Sequence, residues 1–413
     1  MIYDAMIIGG GASGLIAACA LALRGRRVVL LEKQERVGRK LLSTGNGRCN
    51  LTHLNATAGD YHGARAAARA ALKAWPPERV VAFFGDTLGV PCVPDGEGRV
   101  YPMSRQAASV LDALRLRCDE LGVDTRTGFR VTGLSRKGGA FEAASDGGER
   151  ASARCALVCT GGLAAPKLGA SGEGYRLLEG FGHAISPRFP AIAALRTPPK
   201  DVRGLKGIRA QVLLTLLVEG EIAREEYGEA LFAESGVSGI AAMQLARPAN
   251  EALRAGKRCA LELDFLPDEA DATALLRRRA GQLPLRSMED FLNGIVPRRL
   301  GQVLTAAAGL SPRLAAGALA EGQLARLAEV LTGWALPVTG TQDFDQAQVT
   351  AGGASLKDFD IRRMASLRAP GLFAAGEVLD VDGDCGGFNL QWAWSSALMA
   401  ADGIDKLLEG DAL

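Results

Sequence analysis

The sequence predicts an α/β protein whose first domain is interrupted by an insertion and resumes near the end of the chain. Three observations predict this organisation. A strand, a glycine-rich turn, a helix and a second strand follow one another between Tyr3 and Leu31. The pattern changes from residue 190, where strand-like and then helical segments run to residue 339. Strand and helix signals return after residue 340 and end in a long helix.

The opening segment predicts a βαβ unit. Tyr3–Ile8 is a short apolar strand, and Leu15–Leu23 is a helix rich in Ala and Leu that ends at Gly25. Arg27–Leu31 is a second buried strand, and Glu32 closes it. Two strands joined by a helix within about 30 residues are the unit from which parallel sheets are built.

The following segments continue this domain to about residue 189. Apolar periodicity predicts two helices and three strands there, which are Ala64–Trp75, Ser104–Leu121, Arg130–Ser135, Ala140–Ala144 and Cys155–Cys159. A domain boundary is expected near Pro187 to Pro190, because the pattern changes at these prolines.

The insertion is expected to cover residues 190–339. Val212–Val218 and Ala260–Phe265 are predicted strands, which makes residues 190–266 β-rich, whereas residues 267–339 are predicted to be helical and charged. Residues 1–189 and 340–413 then form one discontinuous domain. Its last buried strand is Gly371–Ala375, and Asn389–Leu408 is the closing helix.

Length and composition agree with a globular protein of more than one unit. The chain has 413 residues, which exceeds what one compact core usually holds, and 48% of them are hydrophobic. This balance excludes a largely disordered chain. The formal net charge of +2 offers no overall attraction to nucleic acids or membranes. Between Glu35 and Arg79 basic residues outnumber acidic ones, so a local basic surface is expected.

The sequence predicts no membrane span, secretion signal or metal site. The longest apolar runs, such as Leu15–Leu23, are shorter than the roughly 20 residues that a membrane helix needs. The N-terminus has no basic flank with a following cleavage site, so a cytoplasmic protein is expected. The 8 cysteines include no C-x-x-C pair, and the 3 histidines are isolated. Reduced thiols and no bound metal are therefore expected.

The turn after the first strand has the pattern G-x-G-x-x-G. Gly9 permits the tight turn, Gly11 lets the backbone approach a pyrophosphate, and Gly14 lets the helix pack closely on the strand. Glu32 ends the second strand, where a carboxylate can accept hydrogen bonds from ribose hydroxyls. The order of strand, turn, helix, strand and acid predicts a Rossmann-type dinucleotide site. The alternative is a glycine turn with a purely structural role.

Two further blocks are specific. VGRKLLSTGNGRCNLTH (Val37–His53) and GLFAAGEVLDVDGDCGGFNLQWAWSSA (Gly371–Ala397) resemble the BaiN/RdsA-type flavoproteins, also called YhiN-like, and the resemblance extends over essentially the whole chain. It implies that FAD binds to a glutathione-reductase-like domain interrupted by a β-barrel and a small helical subdomain. One segment departs from the family pattern. Relatives often carry a Thr-His pair before a G-x-S-G-P segment, whereas this chain has LFAESGVSGI, with Ala233, Glu234 and Ile240.

The resemblance also implies which residues surround the cofactor. Those expected at the pyrophosphate and adenosine are Gly9, Gly11, Ala12, Ser13, Gly14, Glu32, Lys33 and Val131. Those expected farther along FAD, ending at the flavin ring, are Arg39, Lys40, Ser43, Gly45, Asn46, Thr160, Gly161, Gly376, Glu377, Gly387, Phe388, Asn389, Leu390 and Gln391. Asn389 would begin the closing helix, whose positive end suits an anionic reduced flavin, although Asn389 as a plain helix cap is an alternative.

Cys49 and Arg48 are the candidate catalytic residues. Cys49 is proposed to donate a proton while the flavin gives a hydride to the neighbouring carbon, and Arg48 to polarise a carbonyl group of the substrate. Cys385 is the second candidate for the proton. The alternatives are that both cysteines are small buried residues and that Arg48 makes a surface or phosphate contact. The missing C-x-x-C pair argues against disulfide reductase chemistry.

These observations together predict an FAD-dependent oxidoreductase that transfers hydride to an activated carbon–carbon double bond. The sequence has no second dinucleotide fingerprint, so NAD(P)H is expected to visit transiently as the electron donor. The resemblance implies uridine in large-subunit ribosomal RNA or an unsaturated ketone as substrate, and the basic segment favours RNA unless it is an ordinary solvated face. A small-molecule (amine) oxidase and a non-catalytic flavin-bearing redox sensor or assembly protein are the alternatives. The number of subunits is left open.

Overall fold

The structure, a computed structural model, describes residues 2–410. It divides into two compact units, of which one is discontinuous. The first contains Met1–Phe189 and Phe344–Leu413, and the second contains Pro190–Asp343. The chain therefore leaves the first unit at about the proline-rich segment and returns to it before the second sequence block.

The strands are short apart from those at the centres of the two large sheets. In chain order they are β1 (Ile2–Ile8), β2 (Val28–Leu31), β3 (Thr52–His53), β4 (Tyr61–Gly63), β5 (Cys92–Pro94), β6 (Arg99–Pro102), β7 (Asp124–Arg126), β8 (Val131–Lys137), β9 (Ala140–Ser145), β10 (Arg150–Val158), β11 (Phe189–Ala191), β12 (Leu195–Arg196), β13 (Arg209–Val218), β14 (Glu221–Ala233), β15 (Gly236–Ser238), β16 (Cys259–Asp264), β17 (Trp334–Val338), β18 (Gly340–Thr341), β19 (Val349–Ala351), β20 (Phe359–Asp360), β21 (Ala365–Ser366), β22 (Leu372–Ala374) and β23 (Val381–Gly383).

The helices lie between these strands. The α-helices are α1 (Ala12–Ala22), α2 (Arg39–Leu42), α3 (Arg65–Ala74), α4 (Pro77–Ala82), α5 (Ala107–Glu120), α6 (Glu173–Glu179), α7 (Ile240–Gln244), α8 (Ala246–Arg254), α9 (Ala272–Gln282), α10 (Arg298–Ala307), α11 (Glu321–Thr332) and α12 (Phe388–Glu409). A π-helical turn, Phe83–Thr87, continues α4, and short 3₁₀ turns complete the connections. Between residues 2 and 410, none of the helices combines the length and the hydrophobicity that crossing a membrane requires.

The first unit is built on a nine-stranded sheet whose central strands are parallel. Its main order is β20-β21-β22-β10-β1-β2-β7, and β8 and β9 extend it from β10. Ile8 pairs with both Leu31 and Val158, and Val158 pairs with Ala374. The carboxyl ends of four parallel strands therefore meet at one edge of the sheet, which is where ligands bind in open α/β folds.

Helix α1 is enclosed on all sides, which explains its composition. It packs against α12, α5 and the β1–β2 pair, and every residue from Ser13 to Ala22 is buried. A helix with Ala and Leu around its whole circumference suits this position, since it has no solvated face to pattern. Ion pairs at its end, such as Arg26 Nε to Asp405 Oδ1 at 2.6 Å, join it to α12.

The second unit combines a seven-stranded sheet with α7 to α11. The strand order is β17-β16-β13-β14-β15-β12-β18. Two features differ from the sequence expectation. The expected β-rich segment also contains α7 and α8, and the expected helical segment ends in β17, which pairs with β16 because Trp334, Leu336 and Val338 alternate inward. Closure of this sheet into the expected barrel stays a prediction.

Candidate functional site

The glycine turn lies at the carboxyl end of β1, and its three glycines face different surroundings. A Cβ on Gly9, whose φ is +108°, would lie 2.5 Å from the Cys159 carbonyl oxygen, and a Cβ on Gly14 would lie 1.9 Å from the Gly9 carbonyl oxygen. A Cβ on Gly11 would meet no atom within 4 Å. Gly9 and Gly14 are thus required by the protein's own packing, whereas Gly11 borders open space.

Helix α1 begins in that open space. Its N-cap is Gly11, which has no side chain to bond the first amides, and the first turn contains no acidic residue. Ala12 and Ser13 are the first two helical residues. Free amides at the N-terminus of a helix of this length form a binding site for a phosphate group.

Glu32 lies beside the turn at the end of β2. Its Oε2 accepts a hydrogen bond from the Gly10 amide at 2.7 Å, and its Oε1 accepts one from the Gln34 amide at 2.8 Å. Each carboxylate oxygen keeps a second lone pair. The structure therefore brings the predicted carboxylate to the turn and fixes its orientation by two backbone amides.

A narrow cleft continues from the turn between β2, β8 and α6. Predicted residues Lys33, Val131 and Thr160 line it, together with Arg130 and Glu173. Glu173 is 8% exposed and accepts hydrogen bonds at 2.8 Å from both Lys33 Nζ and Arg130 Nη2. Burial raises the pKa of the Glu173 carboxyl, but Lys33 and Arg130 outweigh burial and hold the pKa below its usual value. Sequence reasoning missed Glu173, whose only signal was its place at a helix start after Gly172.

A second group of predicted residues meets where β22 ends. Glu377 Oε2 accepts a hydrogen bond from Lys40 Nζ at 2.7 Å, and its Oε1 accepts one from the Thr350 amide at 2.9 Å. A Cβ on Gly376 would lie 2.3 Å from Ser13 Oγ. Gly376 therefore lies next to the start of α1, and Glu377 is held by Lys40 and Thr350.

Thr350 is a further residue that sequence reasoning missed. Its Oγ1 accepts hydrogen bonds from the amides of Leu163 at 2.8 Å and Ala164 at 2.9 Å. It therefore ties the segment after Thr160 and Gly161 to Glu377. The remaining predicted residues of the first block are partly or fully exposed on the chain segment that follows Gly38, and they are Arg39, Ser43, Gly45 and Asn46.

Asn389 holds the loop before α12 and does not cap the helix. Asn389 Oδ1 accepts a hydrogen bond from the Gly383 amide at 2.9 Å, and its Nδ2 donates to the Gly383 carbonyl at 2.7 Å. The N-cap is Gly387, with φ +105°, and the helix begins at Phe388. The alternative of Asn389 as a plain helix cap is therefore wrong. Its side chain fixes the Gly383–Gly387 loop, and the N-cap Gly387 has no side chain with which to bond the first amides of α12.

Gln391 is predicted to approach the flavin ring. Its side chain is buried in the protein interior and bonded there. It is fully buried, and its Oε1 accepts a hydrogen bond from Thr52 Oγ1 at 2.5 Å while its Nε2 donates to the Trp75 carbonyl at 2.9 Å. Its side chain positions α12. Phe388, one turn earlier, is stacked on the His53 ring with 5.0 Å between ring centroids, and Leu390 is half-buried.

The two candidate catalytic residues differ in exposure, since Cys49 is buried and Arg48 is exposed. Cys49 has no exposed surface and adopts φ +57°. Burial raises the pKa of its thiol to about 12, although a hydrogen bond with Thr44 acts in the opposite direction. Arg48 is exposed, and its Cζ lies 5.7 Å from the centre of the Tyr101 ring. Cys385, half-buried, lies in the Gly383–Gly387 loop.

Asn50 provides a test of whether FAD fits this site. Its Oδ1 is buried and has no hydrogen-bond partner among residues 2–410, and a Cβ on Gly387 would lie 2.8 Å from it. A buried acceptor without a donor is costly, so a ligand donor at the start of α12 would satisfy it. Together with the open space at Gly11, this orphaned atom fits a cofactor that extends from α1 to α12. Sequence reasoning missed Asn50, although it lies inside the first block.

Comparisons with known proteins find similarity along almost the whole chain. The family model described as HI0933-like protein Rossmann domain matches residues 3–403. The 3-dehydro-bile acid delta(4,6)-reductase of Clostridium scindens is 35% identical over 95% of this chain and 97% of its own length. The ribosomal RNA dihydrouridine synthase of Escherichia coli is 30% identical over 97% of this chain and 98% of its own.

A solved structure supports the fold. The 3-ketosteroid delta1-dehydrogenase of Sterolibacterium denitrificans matches with a TM-score of 0.55 at 14% identity, over 98% of this chain and 100% of that chain. At this identity the similarity concerns the fold alone. The match includes residues of both units.

Proposed function

The chain belongs to the HI0933-like family of FAD-dependent oxidoreductases, as its two sequence blocks predicted, and on that premise we propose that it reduces a carbon–carbon double bond conjugated to a carbonyl group. The observations that support this proposal are the open space at Gly11 and the buried Asn50 Oδ1, which has no partner among residues 2–410 and lies near Gly387, the N-cap of α12. The names of two relatives support it, since a delta(4,6)-reductase and a dihydrouridine synthase both add hydrogen to such a bond.

The residues of the first unit would hold FAD along its length. The amides at Gly11 to Ser13 would bind the pyrophosphate, and Glu32 the adenosine ribose. Gly376 and Lys40 would flank the middle of the cofactor, and the positive end of the α12 dipole would stabilise negative charge on the flavin. When bound, FAD supplies the hydride. The protein's part is to orient the substrate, exclude water and provide a proton.

NAD(P)H is the proposed electron donor. The sequence contains one G-x-G-x-x-G turn at the end of a strand, and FAD would occupy it. A nicotinamide nucleotide would therefore bind transiently, reduce the flavin and leave before the substrate enters. This order predicts that reduction of the flavin and its reoxidation can be measured as separate half-reactions.

Two arginines on the Tyr101 ring support a substrate that carries negative charge. Arg48 and Arg105 lie over the same Tyr101 ring, with Cζ at 5.7 and 4.9 Å from its centre. Neither forms an ion pair with a carboxylate within the described part of the chain. Guanidinium groups held this way can bind a phosphate or carboxylate. Arg48 is accordingly proposed to bind the substrate's carbonyl or an anionic group near it.

The burial of Cys49 favours a structural role over the catalytic role that the sequence suggested. Its thiol has no exposed surface, and burial raises the pKa of that thiol to about 12, so the group is enclosed by the protein and is a weak acid. We therefore give Cys49 a packing role in the loop and keep Cys385 as the cysteine that lies closer to the surface. A different group must then supply the proton.

Anaerobic half-reactions test the proposed function. The purified yellow protein is mixed with NADH or NADPH until the flavin bleaches, and then with a 3-oxo-4,6-diene steroid acid or with uridine-containing ribosomal RNA. Reoxidation by either acceptor, with formation of the dihydro product by mass spectrometry, is the expected result. Rapid reoxidation by oxygen alone would favour a small-molecule oxidase instead. A flavin that neither nucleotide bleaches would favour a redox sensor or assembly protein.

A separate experiment in cells distinguishes the two substrates. Ribosomal RNA from a deletion strain is digested and its dihydrouridine measured by mass spectrometry. Loss of a dihydrouridine that the intact strain contains supports the RNA substrate. Unchanged dihydrouridine together with turnover of the steroid acid supports the small-molecule substrate.

A further inference from the structure

The proposed reaction needs a proton as well as a hydride. Reduction of a conjugated double bond places the hydride on one carbon, and the electron pair of the double bond moves to the adjacent carbon and the carbonyl oxygen. A protein acid must then give a proton to that carbon. Cys49 lacks any exposed surface, so the donor has to be sought among the other titratable groups at the start of α12.

His62 and Asp384 form a histidine–carboxylate pair at this place. His62 Nε2 and Asp384 Oδ1 are 2.9 Å apart, and the two side chains are 18% and 21% exposed. An ionised carboxylate can only accept a hydrogen bond, so Nε2 carries the hydrogen and donates it. This leaves Nδ1 as the nitrogen that can exchange a proton with a substrate, in the arrangement by which a carboxylate orients a catalytic imidazole.

The pair is fixed to the same elements as the proposed flavin site. His62 lies on β4, which pairs with β23 directly before the Gly383–Gly387 loop, and Asp384 lies within that loop. Asn389 Nδ2 also donates to the Asp384 carbonyl at 3.2 Å. Tyr61, the neighbour of His62, donates from its hydroxyl to the Phe388 carbonyl at 3.1 Å. The imidazole is therefore held rigidly relative to the first turn of α12.

The other histidines are less suited to proton transfer. His183 is 3% exposed, and its two ring nitrogens lie 3.0 Å from the Leu178 carbonyl and 2.8 Å from Ser366 Oγ, so it is a satisfied core residue. His53 Nδ1 accepts a hydrogen bond from the Asn55 amide at 3.2 Å, so that nitrogen is already engaged by the backbone. Only His62 is paired with a carboxylate in the part of the chain that the structure describes.

We propose that His62 is the catalytic acid of the reaction and that Asp384 is the residue that positions it. This rests on the proposed function. The substrate gains two electrons with the hydride from the reduced cofactor, and the proton from His62 Nδ1 completes the new carbon–hydrogen bond. The imidazole is left neutral and regains its proton from water through its exposed edge. No further oxidant or reductant is needed.

Separate half-reactions test this assignment. His62→Gln removes the acid without removing FAD, so NAD(P)H should bleach the flavin at the wild-type rate. Reoxidation by the steroid acid or the ribosomal RNA should slow by about 10²- to 10⁴-fold, the usual contribution of a general acid. In His62→Ala, added imidazole should restore part of the lost rate, which a structural role would not allow. Asp384→Asn should slow reoxidation less, because the imidazole remains.

A second readout does not depend on turnover. The chain has 3 histidines, so long-range ¹H–¹⁵N spectra of the imidazoles can be assigned with His62→Gln. At a pH where His62 is neutral, the wild-type protein should show it as the Nε2–H tautomer, and Asp384→Asn should change the tautomer ratio. An Nδ1–H tautomer in the wild type would overturn the geometry on which the proposal stands.

The outcomes separate this proposal from the proposed function. A wild-type flavin that is reduced but reoxidised by neither acceptor overturns the function and, with it, the role of His62. A wild type that reacts while His62→Gln reacts equally fast overturns only the role of His62. Slow reoxidation in Cys385→Ala with a normal rate in His62→Gln would identify Cys385 as the acid instead.

Discussion

Substitution of Gly11 by alanine separates what the glycine turn does for the protein from what it does for the cofactor. Gly11 has φ −82°, which alanine adopts readily, and a Cβ there would meet no protein atom within 4 Å. Folding should therefore change little, with a loss of less than about 1 kcal/mol at the N-cap. The methyl group would instead occupy space that the proposed pyrophosphate needs.

The expected loss of affinity follows from the amides at the start of α1. If the methyl group displaces the pyrophosphate from one charge-assisted hydrogen bond, the cost is about 1.5–3 kcal/mol. That corresponds to roughly a 10- to 100-fold weaker binding of FAD. The apoprotein is titrated with FAD and the quenching of flavin fluorescence gives the dissociation constant, while thermal unfolding of the apoprotein measures stability.

Two further variants complete this experiment. In Gly322→Ala, a Cβ would also meet no atom within 4 Å, and the site is on α11 of the second unit, so FAD affinity should stay unchanged. Gly14→Ala places a Cβ 1.9 Å from the Gly9 carbonyl oxygen and should destabilise the apoprotein by at least the 1–3 kcal/mol typical of overpacking. Wild-type FAD affinity in Gly11→Ala would refute the placement of the pyrophosphate.

Three other perturbations have defined outcomes. Lys40→Met removes the partner of Glu377 and should weaken FAD binding in equilibrium dialysis, whereas Lys206→Met, which breaks the exposed pair with Glu234, should not. Glu173→Gln should lower the unfolding free energy at pH 7 by about 1–3 kcal/mol. Because the pKa of Glu173 is depressed in the folded protein, the stability difference between wild type and Glu173→Gln should shrink as the pH falls through that pKa, which lies below the usual glutamate value. A stability difference that stays constant at acidic pH in thermal unfolding would contradict this expectation. Iodoacetamide at pH 8 should label Cys385 before Cys49 in peptide mass spectra, and early labelling of Cys49 would contradict its enclosure.

The elements that the sequence predicted well are those specified by local signals. The opening strand and helix were expected at Tyr3–Ile8 and Leu15–Leu23 and are observed at Ile2–Ile8 and Ala12–Ala22, because glycines mark the turn between them. The parallel order of the central strands also follows, since a helical crossover joins β1 to β2. The π-helical turn Phe83–Thr87 carries no comparable signal in its composition and was not expected.

Partners distant in sequence account for what was missed at the site. Glu173 meets Lys33 across 140 residues, and Thr350 meets Leu163 across 187. Neither contact follows from spacing or periodicity, because it depends on which strands are neighbours in the sheet. Lys33 itself was expected beside the ribose, and the structure shows that its ammonium group is engaged by Glu173.

The first sequence block shows why membership in a specific motif does not settle a residue's role. Arg48, Cys49 and Asn50 are consecutive, yet the first is exposed, the second is fully buried and the third directs an unpaired oxygen at Gly387. The left-handed backbone at Cys49 makes this possible, since the chain reverses there instead of alternating as a strand would. A nucleophilic side chain inside such a reversal serves the loop's packing, and the groups on either side of it are left to meet ligands. The proposed proton donor therefore lies outside the motif, on β4, where His62 is paired with Asp384 in the loop after β23.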